Sequence, residues 1–320
     1  MKPDGTPVPD HRSPFIVGFG GCGIVVAVGD TSNETTNQWL NRRVVFLADP
    51  SKDGSYAEYV VCDRRIVTPL PTDGPVNIQS HEAACIPVAG LTALESLQRA
   101  GIRIHKDPPP PEGSNVRDKG KTKRLLIVGG AGGVGSWTAQ LARAAQPQLE
   151  IVGTASSPAS AAWCQEMGCD RTIGHDEIGS LGGGREGSCD HIVCLAEPTA
   201  ELFASLAEVL RPYGTIVLVV AGDAIQNLDL SFVFFKCGTV ATQTVFSSIR
   251  DGYRLDQAEE MATILDLLRH GRVRAPMSKD WDEERSDWTT ASQEGGFIDI
   301  VGKGHSRGKL VMKIAKDGTA

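Results

Sequence analysis

Leu125-Leu126-Ile127-Val128-Gly129-Gly130-Ala131-Gly132-Gly133-Val134-Gly135 runs from an apolar strand, through a cluster of glycines, into a helical pattern. Gly130, Gly132 and Gly135 satisfy G-x-G-x-x-G. The first glycine permits a tight turn, the second lets the backbone approach a pyrophosphate, and the third lets helix and strand pack closely. Amides at the helix start and the helix dipole then favour phosphate. A glycine-rich turn can be only a turn. Here it follows a strand and opens a helix, which is the setting a dinucleotide site requires. Gly130, Ala131, Gly132, Gly133, Val134 and Gly135 are therefore the candidate pyrophosphate cradle.

Outward from the turn the chain alternates. Strand-like runs at 124–129, 149–154, 192–196 and 214–220 are separated by helical patterns at 134–145, 159–167 and 199–210. Such alternation predicts a parallel sheet covered on both faces. A longer helix is predicted over 255–268, with Met261, Leu265 and Leu268 on one face. Before the turn, 24–28, 43–47 and 56–62 read as short strands and 83–99 as a helix. The tail, 295–314, reads as strands. Pro108 to Pro111 interrupt a mixed-charge stretch that reads as a linker or insertion. The expected class is α/β. A Rossmann doubly wound parallel sheet occupies 124–272, a split β-rich domain occupies 1–100 and 273–320, and 101–123 is the linker.

The adenosine half of a dinucleotide lies over the end of the second strand. NAD-binding folds carry an Asp or Glu there for the ribose 2′-hydroxyl. This chain has Val152-Gly153-Thr154-Ala155-Ser156-Ser157-Pro158, without an acid, and Glu150 stands at the strand's beginning. Ser156 and Ser157 are candidate donors to a 2′-phosphate, which favours NADP(H) over NAD(H). No Arg or Lys stands in this run, and the alternative is that the serines only cap a helix.

Lys and Arg total 32 against 39 Asp and Glu. A net charge of −7 gathers no nucleic-acid phosphates, and 6% aromatic residues are too few for base-stacking platforms. The eight cysteines sit mostly in apolar runs, where a thiol behaves as a small hydrophobe, and a chain of this length needs no disulfide framework. Reduced thiols and a cytoplasmic location are expected. The apolar run 15–29 is too short to span a bilayer. Met1 to Arg12 carries Asp4, Asp10 and three prolines, where a signal peptide would have a basic region. No membrane partner is expected.

The turn with Ser136 and Gln140-Leu141-Ala142-Arg143 after it resembles the medium-chain dehydrogenases/reductases, in the quinone oxidoreductase (zeta-crystallin-like) branch, and within it the "zinc-type alcohol dehydrogenase-like" subgroup. Further matches lie in order. Gly54-Ser55-Tyr56-Ala57-Glu58-Tyr59 resembles the family's G-x-Y-A-E-Y. Glu82-Ala83-Ala84-Cys85-Ile86-Pro87 and Leu91-Thr92-Ala93 resemble its E-A-A-x-x-P and L-T-A runs. Arg307-Gly308-Lys309-Leu310-Val311 resembles its closing strand. The resemblance covers 14–315. It implies a split GroES-like domain around a Rossmann domain, with the cofactor in the cleft, and a homodimer formed through the Rossmann edge strand, here 239–246.

Two departures stand out. The family usually has Asp or Glu at the position of Gly20, and Gly-Asp at Asn41-Arg42. It also carries a few dozen residues before the stretch matched by 14–29, where this sequence has 1–13. The expectation is a GroES-like domain that is short at its N-terminus, from an incomplete gene model or a diverged, impaired member. No C-x-x-C occurs, and a catalytic zinc needs three protein ligands with one open position. Cys189, His191 and Cys194 are the one tempting group. On a strand Cys189 and His191 share a face and Cys194 points away, so no zinc is expected.

The resemblance implies hydride transfer from NADPH to a quinone or an α,β-unsaturated carbonyl. The nicotinamide would lie near Thr92 and Val220, Ala221 and Gly222, and the ribose or adenine near Cys194 and Leu195. Tyr56 is a candidate proton donor, beside the plainer reading of strand packing. Arg307 and Lys309 are candidate phosphate contacts, beside the reading of surface charge. The alternatives are a catalytically impaired nucleotide-binding sensor or structural protein, and an enoyl reductase of a biosynthetic pathway.

Overall fold

The computed structural model describes residues 15–29, 38–104, 122–247, 256–279, 286–304 and 306–314. Strands β1 (Gly20–Ile24), β2 (Arg43–Leu47) and β3 (Val67–Pro69) form an antiparallel sheet in that order. Gly20 pairs with Leu47 and Val45 with Thr68. Glycine suits β1 because its neighbours come close. A Cβ at Gly20 would lie 2.7 Å from Pro87 Cβ and 2.8 Å from Phe46 O. The turn into β2 uses Asn41 at φ 62°, a left-handed conformation that asparagine tolerates and glycine prefers.

Helix α1 (Ser80–Ala83), a π-turn at Ile86–Gly90 and helix α2 (Leu91–Arg99) then lead to the large sheet. Its elements follow as β4 (Arg124–Val128), α3 (Gly133–Ala145), β5 (Glu150–Thr154), α4 (Pro158–Glu166), β6 (Arg171–Ile173), β7 (Cys189–Cys194), α5 (Ala200–Val209), β8 (Leu210–Leu218), α6 (Ser231–Phe235) and β9 (Thr239–Thr242). Helices α7 (Gln257–Arg269) and α8 (Phe297–Gly302) follow. The sheet order is β6-β5-β4-β7-β8-β9, every pair parallel. Strand order reverses between β4 and β7, so a crevice opens outside their carboxyl ends.

Alternation along the strands divides the core. Leu125, Ile127, Val193 and Val217 pack with Trp137, Leu141, Leu265 and Leu268, and the same cluster takes in Val45, Leu47 and Ile66 of the small sheet. Leu126, Val128, Ile192, Ile216 and Leu218 pack with Phe203 and Leu206 on the other face. One apolar core is therefore continuous between the two sheets.

Glu150 ties β5 to both neighbours, accepting from Arg124 Nε at 2.8 Å and Arg171 Nε at 3.1 Å. Burial pushes its carboxyl up, but the two arginines outweigh that and hold it below the usual glutamate value. A depressed folded value gives stability that is present above the ordinary value and lost as pH falls through the depressed one. Glu150→Gln is expected to cost about 1–2 kcal/mol at neutral pH and to flatten the acid limb of a stability-versus-pH series below the ordinary glutamate range. An unchanged acid limb in denaturant titrations would contradict the assignment.

Four expected elements differ. The first strand is Gly20–Ile24, not 24–28, because its ladder with β2 begins at the glycines. The expected strand at 56–62 is irregular. Residues 54–56 bond instead to the stretch before β1, with Gly54 N donating to Ile16 O at 2.7 Å and Tyr56 N to Val17 O at 2.9 Å. The helix at 83–99 is broken by the π-turn, where Pro87 has no amide to donate. The tail holds helix α8 and isolated bridges at Lys309 and Lys313 in place of strands. Positive φ at Gly295, Gly304 and Gly308 interrupts any extended run, and Asp299 starts the helix by accepting from Gly295 N at 2.9 Å. Of the linker expected at 101–123, residues 105–121 lie outside the described residues.

Candidate cofactor-binding site

Gly129 turns the chain out of β4 at φ 87°. Its amide donates to Thr154 Oγ1 at 2.9 Å, and Gly130 N donates to Thr154 O at 3.2 Å. The turn is thus pinned to the end of β5. A Cβ at Gly130 would lie 3.0 Å from Cys164 Sγ and 3.3 Å from Gly153 Cα. One at Gly135 would lie 2.5 Å from Gly129 O and 2.6 Å from Gly130 O. Gly135 is required by the protein's own packing, and at Gly130 the neighbours leave a side chain little room.

Gly132 is different. It precedes α3 at φ −72° and ψ 172°, which any residue adopts. A Cβ there would meet only Gly129 O at an ordinary 3.7 Å. Nothing in the fold demands glycine at this position, and what its missing Cβ leaves open is space beside the start of α3. The first amides of that helix have no intrahelical acceptor. The cradle therefore fits an anionic group brought against the backbone.

The C-terminal segment closes one side. Gly308 N donates to Ala131 O at 2.8 Å, and Gly132 bridges Gly308. Lys309 Cδ lies 3.4 Å from the Cβ position of Gly133. Burial pushes its ammonium below the usual lysine value, opposed by the nearby Cys85 thiol. Arg307, two residues earlier, is half-buried. Lys309 is thus placed against the turn.

At the end of β5, Ser157 caps α4 by accepting from Ser160 N at 3.2 Å, so its hydroxyl is occupied as a cap. Ser156 is exposed. Thr154 Oγ1 also meets His175 Nδ1 at 3.0 Å, a contact that sequence reasoning did not reveal. At the other end of the crevice, Leu195 N donates to Val128 O at 3.0 Å and its Cβ lies 3.4 Å from the Cβ position of Gly129. Cys194 is fully buried. Val220 and Ala221 are exposed, and Gly222 packs against Glu197.

No protein-family model matches the chain. It is 30% identical over 226 residues to a zinc-type alcohol dehydrogenase-like protein of Staphylococcus epidermidis, covering 70% of this chain and 61% of that one. It is 30% identical over 167 residues to mouse prostaglandin reductase-3, covering 52% of this chain and 36% of that one. The fold matches the Escherichia coli quinone oxidoreductase crystallised with NADPH, with a TM-score of 0.67 at 18% identity over 92% of this chain and 82% of that chain. These relatives and this fold are consistent with the resemblance to the medium-chain dehydrogenases/reductases. It spans about three fifths of the staphylococcal relative's length.

Thr92, expected beside the nicotinamide, and Tyr56, the candidate proton donor, sit as follows. Thr92 is buried in α2, with its hydroxyl donating to Val88 O at 2.7 Å. Tyr56 is half-exposed, with its ring edge-on to Phe297 at 5.9 Å. Burial pushes its phenol above the usual value. Among the described residues no three His, Cys, Asp or Glu side chains converge as a metal cage. The sequence-based facing of β7 needs correction. The ladder with β8 is irregular between Cys189 and His191, which places Cys189 in the same core cluster as Cys194. The two thiols share a face but stand five residues apart, roughly 16 Å along a strand.

Proposed function

We propose that the chain is a zinc-independent, NADPH-dependent oxidoreductase that transfers hydride to a quinone or an α,β-unsaturated carbonyl. The observation that carries the reading is Gly132, a glycine with no protein reason to be one, at a helix start within a doubly wound sheet. The reduced nicotinamide would supply the hydride. Gly130 to Gly135 would hold the pyrophosphate through backbone amides, with Lys309 as its counter-charge. Ser156 would face the adenosine end, where the absence of an acid favours the 2′-phosphate. Catalysis would rest mainly on positioning, since a hydroquinone oxyanion can take its proton from water. Loss of NADPH absorbance on adding a simple quinone tests the reading. Cofactor binding without turnover on any quinone or enone would contradict it.

Lys309→Met is expected to weaken NADPH and NADH alike, by about tenfold, because it would remove a pyrophosphate partner common to both. A loss confined to NADPH, measured by fluorescence titration, would move Lys309 to the 2′-phosphate.

A cytoplasmic homodimer belongs to the same proposal. All eight cysteines are free thiols, and no helix among the described residues is long and apolar enough to cross a membrane. Strand β9 is an edge of the large sheet. Beside it Phe234 and Phe235 are 77% and 84% exposed, an apolar surface that a second copy would cover. Phe234→Asp together with Phe235→Asp is expected to give monomers in sedimentation, with an unchanged melting temperature. A wild-type monomer would contradict this part.

A further inference from the structure

Phe19 and Phe246 meet across the two parts of the chain, their ring centroids 5.2 Å apart and their planes inclined at 55°. Phe19 stands immediately before β1, and its carbonyl accepts from Ala48 N at 2.9 Å. Phe246 follows β9. It rests on the core beside the buried Val245, and Gln243 N, donating to Leu218 O at 2.9 Å, holds this segment against the end of β8.

The carboxyl ends of β7, β8 and β9 are neighbours in the sheet. The glycine turn fixes the middle of the crevice and the end of β5 its adenosine side. The nicotinamide side is then over β7 and β8, next to β9, from whose end the segment carrying Phe246 continues. Phe19 is tied to the same region. The neighbouring Gly20 packs on Pro87, and Ala89 of the same π-turn comes within 3.7 Å of the Cβ position of Gly133. Phe19 nevertheless keeps 43% of its surface exposed. Phe19 is thus braced by Phe246 while part of its apolar surface stays open.

We infer that Phe19, braced by Phe246, forms the acceptor-binding wall and selects a planar conjugated ring over a short aliphatic enone. The inference rests on the proposed reductase reading and adds its substrate class. Offset stacking on an aromatic ring favours extended π systems, whereas a small enone presents too little surface to gain from it. An aliphatic side chain at either position keeps the apolar packing and removes the stacking face.

The test compares the full chain with Phe19→Leu and Phe246→Leu. KM would be measured for phenanthrenequinone and for methyl vinyl ketone, alongside phenanthrenequinone binding to the NADP⁺-loaded protein by calorimetry and NADPH binding by fluorescence. Phe19→Leu is expected to raise the phenanthrenequinone KM and dissociation constant about 3- to 10-fold. The methyl vinyl ketone KM and NADPH affinity should not move. Phe246→Leu should act in the same direction. Unmoved phenanthrenequinone binding, or equal shifts for both acceptors, overturns the wall while leaving the reductase reading intact. Absence of NADPH binding by the wild-type chain overturns the reductase reading itself, and the wall with it.

Discussion

Gly132→Val is expected to leave the protein folded and to weaken NADPH binding by about 100-fold or more, roughly 3 kcal/mol. The expectation follows from what a side chain would meet there. The backbone at φ −72° and ψ 172° suits valine, and the nearest protein atom to a Cβ, Gly129 O, is 3.7 Å away. Folding therefore gains no clash, while the space beside the helix start is filled. Gly135→Val gives the opposite pattern. Its Cβ would press within 2.6 Å of two carbonyl oxygens, and overpacking of this kind costs about 1–3 kcal/mol or more. Thermal melts and cofactor titrations on both variants separate the two roles. If Gly132→Val destabilised the fold as much as Gly135→Val, the open cradle would be a packing feature.

Trp137→Ala is expected to destabilise the protein by about 3–5 kcal/mol. Trp137 is fully buried on α3, in the cluster that joins the small sheet to the large one. Its Nε1 donates to Cys85 O at 3.1 Å, at the entrance to the π-turn. Truncation would open a large cavity and leave that carbonyl unsatisfied. Trp137→Phe keeps most of the volume and should cost about 1–2 kcal/mol. Equilibrium denaturation of both variants reads the difference. A cost below about 1 kcal/mol for alanine would mean that the two sheets do not share a core.

The Rossmann half was legible because each signal was local. Strand β4 and helix α3 fall within a residue or so of expectation, since an uninterrupted apolar run, a glycine turn and a 3.6-residue pattern agree there. The small sheet was harder. Tyr56 to Cys62 has β-forming side chains, but the backbone pairing of this stretch is at its start, where residues 54–56 bond to 16–18, a pairing that sequence alternation does not encode. The tail was misread because apolar residues around Ile298 and Val301 look strand-like until the glycines at positive φ are placed. In the site, the turn glycines were legible. Gly153 was missed, because its reason is the approach of Cys169 Sγ and Cys164 Sγ, 3.0 and 3.5 Å from its Cβ position, from another part of the chain. The weight on Lys309 came only with its placement across Gly133, and nothing in the sequence separates it from Arg307.

The central claim is that the turn at Gly130 to Gly135 holds a dinucleotide. Calorimetric titration of the wild-type chain with NADPH, and in parallel with NADH, tests it most directly. The account predicts saturable binding of one NADPH per chain at roughly 1 µM to 1 mM, tighter than NADH. Absence of saturable binding for both nucleotides would contradict it.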